Sequence, residues 1–211
     1  MSKNRTTIYI DGFNLYYGSL RKTAYKWLDL RALFNRLLGE QHHITEIKYF
    51  TAHISPRNEK DKSPDRQKLY LKALSTHTQE LKIYYGHYLT SQIMAKVCEP
   101  PPTYIKVLKT EEKGSDVNLA LHILNDAWLD KYDSAVLVSN DGDIAEALRF
   151  VKEEHNKIIG LVAPGHDRDR KISQALSKYA VFKHRISKQA LSESQLPHQI
   201  PGTNFYKPVE W

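Results

Sequence analysis

The chain has 211 residues, 41% of them apolar and 26% charged, a globular composition long enough to bury a core and short enough that one α/β domain is the default. A single cysteine, Cys98, excludes an internal disulfide framework and a thiolate metal cage; with no apolar run of membrane-span length and no secretory-signal pattern, the expected location is the cytoplasm. Lys and Arg number 31 against 24 Asp and Glu, a net charge of +7, and this excess favours a polyanionic partner through phosphate contacts.

Residues 6–10, TTIYI, are a short β-rich run that stops at the turn signal Asp11-Gly12, which predicts a first strand ending in an acid. Helical spacing follows over Asn14–Lys22 and Leu28–Leu38, the second with Leu30, Leu33, Phe34, Leu37 and Leu38 recurring before Gly39. A strand over Ile44–His53, a polar loop, a helix from about Asp65 to His77 and a strand at Leu81–Tyr85 come next. Residues 86–112 read as an irregular insertion interrupted by Pro100, Pro101 and Pro102, with Tyr104–Leu108 as an edge strand. From Ser115 to Leu129 the pattern is helical, with Val117, Ala120, Leu121 and Leu124 on one face. Residues 134–139, SAVLVS, form a buried strand; Asp141 to about Glu154 is a helix, Lys157–Ala163 a strand, residues 171–178 a helix and Tyr179–Lys183 a last short strand. Strands alternating with helices imply a parallel sheet with helices on both faces and right-handed crossovers. The stretch from Ser192 holds three prolines, so residues 1–191 are read as the domain and residues 192–211 as a non-helical tail.

In open parallel sheets functional groups gather outside the carboxyl ends of the strands. The first strand ends in Asp11, followed by Gly12, Phe13 and Asn14, and the SAVLVS strand runs into Ser139-Asn140-Asp141-Gly142-Asp143. If these strands are neighbours, three carboxylates, the Asn14 amide and the Ser139 hydroxyl share one rim, and Asp116 supplies a fourth acid from the start of its helix. Each acid alone has a plain structural reading: Asp141 and Asp116 as helix caps, Asp11-Gly12 as a turn. Their joint placement points to a site. Carboxylates so grouped raise one another's pKa unless a cation neutralises them. An oxygen-only donor set suits Mg²⁺ or Mn²⁺ better than zinc, for which no paired His or Cys accompanies the acids.

These residues resemble a known family. Ile10-Asp11-Gly12-Phe13-Asn14-Leu15 is similar to the opening motif of NYN domains, the PIN-like nucleases; Lys113-Gly114-Ser115-Asp116-Val117 resembles their central acidic motif, and Ser139-Asn140-Asp141-Gly142-Asp143-Ile144 their Ser-x-Asp-x-Asp segment. The motifs stand in the family's order. The resemblance implies a Rossmann-like, mostly parallel sheet of five or six strands with helices on both faces, and a metal-dependent endoribonuclease using Mg²⁺ or Mn²⁺. Matched residue by residue, Asp11, Asp116, Asp141 and Asp143 take the metal-binding acidic positions, and Asn14 and Ser139 the supporting polar ones. Ile144 stands where an aromatic is common in the family. The tail, with Ser194-Gln195-Leu196-Pro197 and Lys207-Pro208-x-x-Trp211, looks like tails of bacterial members.

For an RNA partner, expected to be single-stranded, Arg57 and Arg168 are the candidate phosphate contacts, and Tyr16, with Tyr17 and Tyr88, the candidate stacking surface for unpaired bases. Interspersed acids make a solvated charged face the alternative for the basic residues, and packing is the alternative for the aromatics. A competing class is a NYN-like module that binds RNA or protein with little turnover, which a missing carboxylate would signal; all four are present. A third is a nucleotide-sugar enzyme, because Asp141-Gly142-Asp143 also matches a short Asp-x-Asp metal motif. The oligomeric state is left open, a homodimer included.

Overall fold

The apolar run that opens the chain becomes β1 (Asn4–Asp11), and its alternation sets the layers: Ile8 and Ile10 join the core on one side of the sheet, Tyr9 the core on the other. The computed structural model describes residues 3–99, 101–165 and 171–211. After β1 come α1 (Gly12–Leu15), running into a π-helical turn at Tyr16–Leu20, then α2 (Leu30–Leu37), β2 (His42–Thr51), α3 (Ser63–His77) and β3 (Leu81–Tyr85). β4 (His87–Lys96) and β5 (Tyr104–Lys113) follow, then α4 (Ser115–Trp128), β6 (Ser134–Val138), a 3₁₀ turn at Gly142–Ile144, α5 (Ala145–Glu153), β7 (Ile158–Ala163), α6 (Gln174–Ser177), β8 (Phe182–Arg185) and α7 (Lys188–Ser192).

Six strands form one sheet in the order β3-β2-β1-β6-β7-β8, every neighbouring pair parallel. This is the expected α/β architecture with its helices on both faces. The chain builds outward from β1 to β2 and β3, then returns to pair β6 against the other side of β1, so the order reverses at β1 and β6. In doubly wound sheets ligands bind outside the carboxyl ends of the strands at such a reversal. On one face α2, α3 and α7 pack through Leu33, Phe34, Leu74 and Leu191; on the other α4, α5 and α6 pack through Leu119, Ile123, Leu148 and Leu176. Among the described residues no helix is long and apolar enough to cross a membrane.

Within the stretch expected to be irregular, residues 87–96 and 104–113 are regular strands. β4 and β5 pair antiparallel over their full lengths, from His87 opposite Lys113 to Lys96 opposite Tyr104. A hairpin satisfies its backbone on itself and so needs no apolar alternation to form; most of its side chains are exposed, which is why the pattern was silent.

In α4 the buried stripe is Leu119, Ile123 and Ala127, whereas Val117 is 62% and Leu121 58% exposed. The helix carries two apolar stripes, and a buried ion network decides between them. Asp126, on the inward stripe, pairs with Lys48 and accepts from the Tyr9 hydroxyl at 2.7 Å and from Lys131 Nζ at 3.1 Å. A sequence reading that treats aspartate as outward-facing turns this helix the wrong way.

α6 shrinks to one turn capped by Ser173, β8 starts at Phe182 rather than Tyr179, and α7 is an additional turn, with Ser187 Oγ accepting from Ala190 N at 3.0 Å. Beyond α7 the tail lies on the α2/α3 face. Leu196 and Ile200 are buried there, and Trp27 Nε1 donates to the Pro197 carbonyl at 2.9 Å. Trp211 sits against Trp27 and Tyr70 at ring distances of 6.3 and 5.9 Å.

Candidate functional site

Ile10 pairs with Val138 in the β1–β6 ladder, so Asp11 and Ser139 leave the sheet side by side at the reversal point. Ser139 Oγ donates to Asp11 Oδ2 at 3.0 Å, and the Asn14 backbone N–H donates to Asp11 Oδ1 at 2.8 Å. The Asn14 side-chain oxygen accepts from Asn140 N at 3.3 Å, and Ser139 Oγ accepts from Asp141 N at 3.1 Å. Five of the six predicted site residues are thereby near one another on one rim: Asp11, Asn14, Ser139 and Asp141 directly, and Asp143 through its N–H to Asp141 Oδ1 at 3.0 Å. Gly12 permits the tight exit from β1, since a Cβ there would stand 2.7 Å from both the Phe50 carbonyl oxygen and the Tyr49 ring.

The capping readings separate. Asp11 caps α1 and Asp141 caps the 3₁₀ turn. Asp116 caps nothing: α4 begins at Ser115 after Gly114, whose φ of 96° a glycine adopts without strain, and Glu112 takes the capping role. Ser115 N and Ser115 Oγ donate to the two Glu112 carboxylate oxygens at 3.1 and 2.7 Å. Among the described residues none hydrogen bonds to the Asp116 carboxylate. Sequence reasoning missed Glu112 because the capping role was given to Asp116.

Electrostatics tie Asp116 to the rest. Its carboxyl is pushed up to about 6, first by burial and then by the charges of Asp11, Asp141, Glu112 and Asp143. Burial also raises Asp11, helped by Asp141, against the lowering effect of its bonds from Asn14 and Ser139. The acids therefore feel one another. They are not drawn into a single shell, however: among the described residues no three His, Cys, Asp or Glu side chains stand close enough to hold one metal ion.

Next to the acids, over the ends of β1 and β2, opens a cavity of about 650 Å³. Tyr16 and Arg57, two predicted RNA contacts, line it, as do Tyr17 and Tyr88. Arg168, the third, lies outside the described residues. Lys26, Arg66 and Trp211 also line the cavity; Arg66 stands in a basic stretch and Trp211 in a tail motif that the sequence shows, Lys26 carried no signal there, and only the fold brings the three together.

Comparison with known proteins bears on family and fold. A "6-hydroxy-3-succinoylpyridine 3-monooxygenase HspA" from Pseudomonas putida (strain DSM 28022 / S16) is 35% identical, over 98% of this chain and 75% of its own length. The crystal structure of a protein of unknown function, VPA0982 from Vibrio parahaemolyticus RIMD 2210633, has a similar fold: TM-score 0.53 and 18% identity, covering 92% of this chain and 97% of that one. Residues 5–184 match the NYN domain family, from β1 through β8 and including every acid of the rim, and the chain belongs to that family.

Proposed function

We propose that the protein is a metal-dependent ribonuclease that hydrolyses phosphodiester bonds of single-stranded RNA, with Asp11, Asp116, Asp141 and Asp143 around Mg²⁺ or Mn²⁺. The observation that carries this reading is Asp116, a carboxyl raised to about 6 by desolvation first and by its acidic neighbours second, and bonded to none of the described residues. Such a group opposes folding unless a cation shares its charge, and perturbed acids of this kind mark functional sites. The donor set fits a hard divalent ion in chemistry. Mg²⁺ keeps several waters and takes one or two carboxylates directly, so acids spread around it suit it better than a closed cage. Membership of the NYN family supports the same reading.

When bound, such an ion polarises a phosphate oxygen and lowers the pKa of a water. The protein's own groups supply orientation. Asp11 is locked by Asn14 N–H and Ser139 Oγ, and Asp141 by Asp143 N–H, whereas Asp116 is free to accept a proton from the attacking water. That water would add to phosphorus as the bond to the 3′ oxygen breaks, the 3′ oxygen would take a proton from solvent water, and Asp116 would return its proton to solvent, leaving a 5′-phosphate and a 3′-hydroxyl.

The test compares single-stranded RNA, duplex RNA and single-stranded DNA with Mg²⁺, with Mn²⁺ and with a chelator. Cleavage of single-stranded RNA that disappears with the chelator and in Asp141→Asn is expected. The relative's name defines the opposing outcome. Intact RNA in every arm, together with hydroxylation of 6-hydroxy-3-succinoylpyridine in air with a reduced nicotinamide donor, overturns the proposal.

A further inference from the structure

The four carboxylates do not account for the cavity beside them. Its volume of about 650 Å³ lies within the range of small-ligand sites, roughly 300–1,000 Å³, and its walls are of two kinds. One is aromatic: Phe13 and Tyr17 stack at 6.5 Å, Tyr88 meets Phe13 edge-on at 6.1 Å, and the tail contributes Trp211. The other is cationic, with Lys26, Arg57 and Arg66 set against two side-chain carboxylates among the described residues, Asp61 and Glu210.

Among the described residues those carboxylates come no closer than 3.8 Å to the charged ends of the three cations, although Arg57 acts on Asp61 through charge. Asp61 Oδ1 and Oδ2 accept from the backbone N–H groups of Ser63 and Arg57 at 2.9 and 3.0 Å, and Glu210 reaches Arg66 only at 3.8 Å. Lys26 Nζ donates to the Thr23 carbonyl, and its pKa is lowered by burial and by the charges of Arg66 and Lys207. Partly desolvated cations that repel one another, next to aromatic faces, are stabilised by a ligand that brings a ring and an anion together.

We propose that this cavity binds a planar aromatic ring carrying an anionic group, the ring against Phe13, Tyr17 and Tyr88 and the anion on Lys26, Arg57 and Arg66. Two sources supply that chemistry: an unstacked nucleotide of an RNA strand, or a free aromatic acid. The nucleotide form rests on the ribonuclease reading; the free-acid form stands without it. Binding is measured with no turnover, so the two readings fail separately.

Calorimetry on the full chain in chelator at low salt uses uridine and adenosine 5′-monophosphate in one arm and 6-hydroxynicotinate in the other. Uridine, which lacks the anion, inorganic phosphate, which lacks the ring, and cyclohexanecarboxylate, which lacks aromaticity, are the controls. The expected result is saturable binding in at least one arm with a Kd below about 1 mM and controls at least about tenfold weaker. Arg66→Gln and Lys26→Met weaken it about fivefold or more, as do Arg57→Gln and Tyr17→Leu, which lie on the surface and leave the core untouched. Nucleotide binding alone assigns the cavity to RNA, and binding of the pyridine acid alone assigns it to a small molecule. No saturable binding in either arm overturns the proposal, as does phosphate binding as tightly as the nucleotide, or affinity unchanged in all four variants.

Discussion

Asp11 serves two neighbours at once, capping α1 through Asn14 and holding Ser139 across the β1–β6 boundary, while Asp116 caps no helix and accepts no hydrogen bond from any described residue. That contrast separates structure from chemistry. Asparagine caps about as well as aspartate, so Asp141→Asn and Asp116→Asn should leave stability within about 0.5 kcal/mol of wild type and lower metal-dependent RNA cleavage by about a hundredfold or more. Turnover assays read beside urea unfolding curves check this; full activity in both variants would leave the acids as capping and surface residues. Asp126 should behave in the opposite way. Asp126→Asn strands Lys48 in the core with only Glu46, at 3.3 Å, and should cost about 3 kcal/mol. Burial tends to raise the Asp126 carboxyl, but bonds from Lys48, Tyr9 and Lys131 outweigh it and hold it below the usual range. A carboxylate depressed in the folded state contributes its stability above the unfolded pKa of about 3.9 and loses it as pH falls through the folded value. The gap between wild type and variant should therefore stay level from about pH 5 to 8 and narrow below about pH 4.

Most longer elements that bury a face were legible in the sequence; the exposed hairpin was not, nor was the single turn α7, which buries Ala190 and Leu191. β6 is an unbroken apolar run because helices cover both its faces; β1 shows its end through the Asp11-Gly12 turn, and both were read close to their true positions. The hairpin left no pattern, having little to bury, yet it carries Tyr88 to the cavity wall and Glu112 to the start of α4. In α4 the periodicity was visible and the direction was not, since the deciding residue, Asp126, is a buried acid whose partners lie on β1, on β2 and in the turn after the helix. Paired substitutions test which stripe faces in. Leu119→Ala should cost about 2–5 kcal/mol, and Leu121→Ala, on the solvent stripe, about 0.5 kcal/mol or less; equal costs would mean that the outer stripe is covered in solution.

For the whole molecule, the reversal of strand order gathers at β1 what the chain scatters: acids from positions 11, 116, 141 and 143, and cavity walls from positions 13 to 211. The acid motifs could be read because each is short and stands at a strand or helix end. The cavity could not, because Lys26, Arg66 and Trp211 come together only once α3 and the tail have packed. If the positive excess of the chain guides RNA to this rim, affinity should fall by more than about tenfold between about 50 and 200 mM salt; titrations showing a flat dependence would place the basic residues elsewhere in the protein's work. The tail also imposes a schedule. Trp27 waits for Pro197, 170 positions later in the chain, which at about 5–20 residues per second of synthesis is a delay of roughly 10–30 s. Once Asp143 has been made, with 54 positions still to come before Pro197, the nascent protein has all four acids but shows Trp27, Leu28 and Tyr70 bare for roughly 3–11 s, a surface for chaperones to occupy, and the cavity beside the acids takes its final shape only when the tail arrives.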